Sequence, residues 1–204
     1  MVISKVSIYI YIHMYIIIII NYYKNIIRLL INSRNESSYD EAYNLLNKAA
    51  DKFVPDAEFH LAIMYEYGLG IAVNFDKATE YYRRAGEKSH LDAIYHLALM
   101  YADGRGHSQD FRKATSLLER AAADNHAPST YFMGVFKFHG YGCMPNYDLA
   151  LQWFERAASI GDYRIQEAAE NATQELSHLL NLAKKHNDDI IDKYQMLSEV
   201  RNDD

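Results

Sequence analysis

Glycine pairs repeating every 36 residues constrain this 204-residue chain more than any other feature. Gly68, Gly104 and Gly140 stand 36 apart, and so do Gly70, Gly106 and Gly142. Upstream of each pair come Leu61, Leu97 and Met133, then Ala62, Ala98 and Gly134. Downstream, Phe75, Phe111 and Tyr147 align, followed by Ala78, Ala114 and Ala150, then Ala85, Ala121 and Ala157. The second half of the pattern occurs once earlier, at Tyr39, Ala42 and Ala49. Three full units therefore run over about 56–91, 92–127 and 128–162, after a half unit over about 37–55. A fixed period of this length marks a solenoid in which each unit buries its apolar face against its neighbours.

Within a unit, small and apolar residues recur at helical spacing, as at Ala57, Leu61, Ala62 and Tyr65, then Ala78, Tyr81, Tyr82 and Ala85. This predicts a hairpin of two helices, A and B. The small residues at Ala62, Ala98 and Gly134 let the helices approach, and Tyr82, Leu118 and Phe154 fill the space opposite them. The first glycine of each pair ends helix A, because glycine takes the left-handed conformation that stops a helix. Asn74, Asp110 and Asn146 are the candidate caps of helix B, with Asp76 and Asp148 as rivals. After Asp162 the period lapses. Residues 163–186 are expected to be helical and a second short helix to run from about Asp188 to Val200, together forming a C-terminal cap and acidic tail over 163–204.

Residues 1–36 differ in kind. Val6 to Tyr23 is uncharged and flanked by Lys5 and Lys24, a length marginal for a membrane span of about 20 residues. No small-residue cleavage site follows it. If it inserts uncleaved, Lys24, Arg28 and Arg34 outweigh Lys5 and leave the downstream domain cytoplasmic. The alternating Ile8, Tyr9, Ile10, Tyr11 and Ile12 is also what an A/T dinucleotide repeat encodes. Three readings stay open: low-complexity coding or a non-native start, a signal or anchor, and an ordinary buried helix or strand. Membrane association through residues 6–23, and a cytoplasmic against an endoplasmic-reticulum location, hang on which applies.

A net charge of −6 argues against nucleic acid as partner, since backbone phosphates call for a clustered basic face. The single Cys143 cannot form an internal disulfide. The Gly-x-Gly pairs close helices rather than opening them after a strand, which is the wrong context for a phosphate loop. His60 and His96 share one repeat position about 10 Å apart, too far for one zinc ion, and His90 and His126 share another near the turn between units. Asp188, Asp189 and Asp192 have the spacing of a magnesium–diphosphate site but no second ligand cluster. Cys143 has only His139 near it as a base, and no catalytic residue, metal site or cofactor is predicted. Asn35 and Asn171 head glycosylation sequons.

The strings LAIMYEYGLGIAVNFDKATEYYRRAG, LALMYADGRGHSQDFRKATSLLERAA and MGVFKFHGYGCMPNYDLALQWFERAA resemble Sel-1-like repeats, relatives of the tetratricopeptide repeat, over residues 38–162. Alanine replaces the usual glycine at Ala62 and Ala98, Lys137 stands where Tyr65 and Tyr101 stand, and Gly86 interrupts an Ala-Ala pair. The resemblance implies an all-α, right-handed α-solenoid. It also implies a non-enzymatic adaptor that holds a protein or peptide on a concave face lined by helix A, in the cytosol or in endoplasmic-reticulum-associated degradation. Alternatives are a hydrolase built on the repeats or a regulatory fragment of a larger enzyme. Carrying the pattern over leaves Phe59, Ile63, Glu66 and Tyr67 facing the groove in the first unit, Tyr95, Leu99 and Asp103 in the second, and Tyr131, Val135, Phe138 and His139 in the third. Phe59, Tyr95 and Tyr131 form an aromatic ladder that either binds the partner or packs helix A on helix A. The binding reading expects Tyr95→Ala to weaken partner binding with little loss of stability.

Overall fold

A computed structural model describes residues 37–200, with side chains described throughout except at Ser37, Ser38, Glu41 and 187–200. The hydrophobic leader with its lysines and the Asn35 sequon lie outside the described residues, and the side chains of Asp188, Asp189 and Asp192 do too. Among the described residues there are eight helices and no strand: α1 (Ser37–Ala50), α2 (Pro55–Tyr67), α3 (Phe75–Glu87), α4 (Leu91–Asp103), α5 (Phe111–Ala123), α6 (Ala127–His139), α7 (Tyr147–Ile160) and α8 (Gln166–Val200). Each helix packs against the next in sequence. Helices α2, α4 and α6 are the A helices of the three units, and α1, α3, α5 and α7 are B helices.

Both ends of the hairpins follow from the glycines and the short polar residues. Gly68, Gly104 and Gly140 sit at φ of 67°, 70° and 73°, and their N–H groups donate to the carbonyls of Met64, Met100 and Phe136. The side chains of Asn74, Asp110 and Asn146 accept the N–H of Lys77, Lys113 and Leu149 at 2.9 Å each, so these residues rather than Asp76 and Asp148 cap the B helices. The second glycine of each pair has another task. A Cβ on Gly70 would lie 2.4 Å from the Cβ of Tyr39, and Gly106 and Gly142 press in the same way on Phe75 and Phe111. Each loop is thereby seated on the first turn of the preceding B helix.

The hairpin interiors match small residues to large ones. Ala62 and Tyr82, Ala98 and Leu118, and Gly134 and Phe154 are all buried. A Cβ on Gly134 would come within 2.6 Å of the Phe154 ring. Gly134→Ala gains helix propensity but overpacks this contact, and a net loss of about 1–2 kcal/mol in urea unfolding is expected. The departure at Lys137 is accompanied by a second one. Lys77 and Lys113, on B helices, lie over the rings of Tyr65 and Tyr101 at 4.9 and 4.6 Å. In the third unit the cation moves to helix A as Lys137, and Leu149 takes the lysine's place.

Neighbouring B helices are tied by arginines. Arg84, Arg120 and Arg156 donate to the carbonyls of Ala50, Gly86 and Ala122, at the end of the previous B helix. Cations suit the negative end of a helix dipole. Helix α1 is less covered than the other B helices: Ala42, Leu46 and Ala49 are half-buried, whereas their counterparts in the full units are buried. At the other end α8 packs on α7 through Ala169 and Leu176, with Ile165 buried just before it. It starts at Gln166 and runs unbroken for 35 residues, about 52 Å, where the sequence suggested two helices. No glycine or proline interrupts 166–200, and Asn187 and Asp188 are only weakly unfavourable inside a helix. No helix among the described residues is long and apolar enough to cross a membrane.

Candidate functional site

The residues expected to face the groove divide into two sets. Phe59, Ile63, Glu66, Tyr95, Tyr131 and Val135 are buried, none more than 9% exposed. Tyr67, Leu99, Phe138 and His139 are half-buried, and Asp103 is exposed. The aromatic ladder belongs to the first set. Phe59 stacks on His90 at 4.5 Å and tilts on Tyr82 at 5.9 Å. Tyr95 meets Phe132 at 5.4 Å, and Tyr131 meets Phe154 at 5.3 Å. The rings therefore hold A helices against their neighbours. What stays accessible is a stripe at the ends of the A helices: Tyr67, Asp103 and His139 share one repeat position, with Leu99 and Phe138 beside it. In the third unit Phe138 contacts Tyr147 at 5.3 Å and His139 stacks on Tyr141 at 5.2 Å.

Beneath the stripe lies a buried ionic cluster. Glu66 accepts the Tyr82 hydroxyl at 2.5 Å, pairs with Arg105 from the next Gly-x-Gly loop, and has the His96 ring 3.7 Å away. Burial alone would raise this carboxyl, but His96, Arg105 and Tyr82 outweigh it and bring it down to about 2. Arg105 also reaches Asp103 at 3.0 Å, linking the cluster to the accessible stripe. Burial and the adjoining Glu66 push the Tyr67 phenol well up, so it remains a hydrogen-bond donor. A second buried acid, Glu58, is held by Arg84 at 2.7 Å and Lys88 at 2.5 Å. Sequence reasoning placed Glu66 on the groove face and not in a buried ion pair, and it did not reach Glu58, because neither acid recurs in the other units: Ala102 and Phe138 replace Glu66, and Ile94 and Thr130 replace Glu58.

The histidines and Cys143 are the residues best suited to chemistry. The Ser129 hydroxyl lies 2.8 Å from His126 Nδ1, and His126 Nε2 lies 3.2 Å from Asp92, in the order of a hydrolytic triad. Ser129 is fully buried and His126 nearly so, so no substrate reaches the hydroxyl; the arrangement caps α6. Cys143 is exposed in the α6–α7 loop. His96 packs on Tyr82 at 5.3 Å. Among the described residues no group of three or more His, Cys, Asp or Glu is placed to hold a metal ion.

Four segments, 36–52, 55–90, 91–126 and 127–162, match the family model described as Sel1 repeat. The chain is similar to a Sel1 repeat protein from Oxalobacter formigenes, with 32% identity, a TM-score of 0.55, and coverage of 64% of this chain and 95% of that one. It is also similar to c5321, a protective antigen present in uropathogenic Escherichia coli strains and displaying an SLR fold. There the identity is 27% and the TM-score 0.56, over 58% of this chain and 26% of that one. No curated protein sequence matches.

Proposed function

Because the chain belongs to the Sel1 repeat family, whose members generally mediate protein–protein interaction, we propose that it is a non-catalytic scaffold that binds a protein or peptide along the ends of its A helices. One observation carries this reading. The framework positions repeat from unit to unit, yet the accessible position among them holds Tyr67, then Asp103, then His139. A constant scaffold presenting a varied stripe is suited to reading a partner's side chains one unit at a time. Leu99 and Phe138 add apolar contact, and the buried Phe59, Tyr95 and Tyr131 set the spacing rather than touch the partner.

Photo-crosslinking groups placed at Leu99 and Asp103 of the full chain, in its native cells, test this against the same group at Glu80 on α3. The stripe positions are expected to trap a common partner and Glu80 is not. With that partner in hand, Asp103→Asn, which keeps the side chain's shape and adds no charge beside Arg105, is expected to weaken binding by about 1–2 kcal/mol, roughly five- to thirtyfold, with little change in melting temperature since an exposed ion pair contributes little. Equal trapping at Glu80, or unchanged affinity in Asp103→Asn, defeats the proposal. The degradation-adaptor setting has its own readout: Asn171 is exposed on α8, and its glycosylation, read by endoglycosidase digestion, would accompany a lumenal location.

A further inference from the structure

Two helices of the solenoid are capped by histidine, where the B helices of the units use asparagine and aspartate. His90 precedes α4, and its Nδ1 accepts the Ala93 N–H at 3.2 Å. His126 precedes α6, and its Nδ1 accepts the Ser129 N–H at 3.4 Å, with the Ser129 hydroxyl 2.8 Å away. A ring nitrogen that accepts carries no hydrogen, so in both residues the proton sits on Nε2. That nitrogen faces the preceding unit in each case: His90 Nε2 is 3.2 Å from Asp56, and His126 Nε2 is 3.2 Å from Asp92. The same arrangement is thus built twice, 36 residues apart.

Adding a proton changes what each ring can do. A hydrogen on Nδ1 removes the acceptor that the first-turn amide uses, and a positive charge at the N-terminal end of a helix opposes its dipole. The same charge strengthens attraction to the aspartate of the preceding unit. We propose that His90 and His126 are proton-operated caps: neutral, each holds the first turn of its own helix, and protonated, each releases that turn and becomes the ion-pair partner of the preceding unit.

The surroundings differ between the two. His90 meets Asp56, Phe59 and His60 of α2, with the Phe59 ring stacked on it, while the nearby Lys88 is turned to Glu58. His126 faces Asp92, Tyr95 and His96 of α4 and, beyond α7, Asp162 and Arg164. Arg164 lies 3.6 Å from Asp92 and 2.6 Å from Asp162, so it competes with His126 for the same carboxylate. The hydrogen bond from His126 already holds the Asp92 carboxyl at about 2 against its burial. The proton acts on the joints between units, so the proposal stands independently of the accessible stripe.

Nitrogen-15 NMR of the full chain reads the tautomers directly, and both rings are expected to carry hydrogen on Nε2 alone at pH 7.5. On acidification to pH 5, amide exchange corrected for its intrinsic pH dependence should quicken about tenfold at Ala93 and Ser129, the loss of one cap. The double variant His90→Asn, His126→Asn keeps an acceptor of the kind found at Asn74 and Asn146 and does not titrate, so both amides should hold their protection. Hydrogen on Nδ1 at pH 7.5, or the same pH response in both proteins, overturns the proposal. The tautomer is measured on the unaltered chain and decides the matter even if the variant folds poorly.

Discussion

Tyr95→Ala is expected to cost about 3–5 kcal/mol of stability, the range for removing a buried aromatic ring. The ring is 9% exposed and sits between Phe132, His96 and His126, at 5.4, 5.5 and 5.8 Å. It reaches across from α4 to α6, so the loss falls on the joint between the second and third units. Thermal unfolding followed by circular dichroism should show a drop on the order of 10 °C. Leu99→Ala, one turn along and half-buried, should cost clearly less. A full-strength Tyr95→Ala protein that binds its partner poorly would restore the ladder as a contact surface.

The second large effect is at Arg105. Removing its guanidinium by Arg105→Leu leaves the Glu66 carboxylate, 1% exposed, without its ion pair across the first joint. Stranding a buried charge in this way costs about 3 kcal/mol. The pH dependence gives a second readout. A carboxyl held at about 2 in the folded chain, against an ordinary value of 4.5, adds stability that is fully present above about pH 4.5 and is lost as the pH falls toward 2. Urea unfolding across that window should show a slope in the wild type that is shallower in Arg105→Leu. An unchanged slope would mean that His96 and Tyr82 hold the carboxylate unaided.

The 36-residue period made the helix pairs, their glycine ends and the Asn74, Asp110 and Asn146 caps legible, because these depend on local geometry repeated three times. The accessible face was only partly legible. An amphipathic helix announces its buried side by spacing, but α2 is buried almost continuously from Ala57 to Glu66 and α6 from Ala127 to Phe136, because each A helix is enclosed by a B helix on either side. Spacing can then say that Phe59, Tyr95 and Tyr131 share a face, not that the face is sealed. Arg84, Arg120 and Arg156 stand at one repeat position and could have been found by the same self-alignment. The Glu66–Arg105 pair could not, since Leu69 and Tyr141 replace the arginine in the other loops and no period marks it.

The glycine seats and the arginine ties have one property in common: each joins a unit only to the unit before it. Coupling of this kind makes the molecule a single file, in which cooperativity is handed along by nearest neighbours rather than shared through a common centre. Unfolding then begins where a unit is least covered. Among the described B helices α1, with Ala42, Leu46 and Ala49 only half-covered, has the least to lose. When it frays, Gly70 loses Tyr39 beneath it and Arg84 loses the Ala50 carbonyl, so the first full unit is the next to loosen.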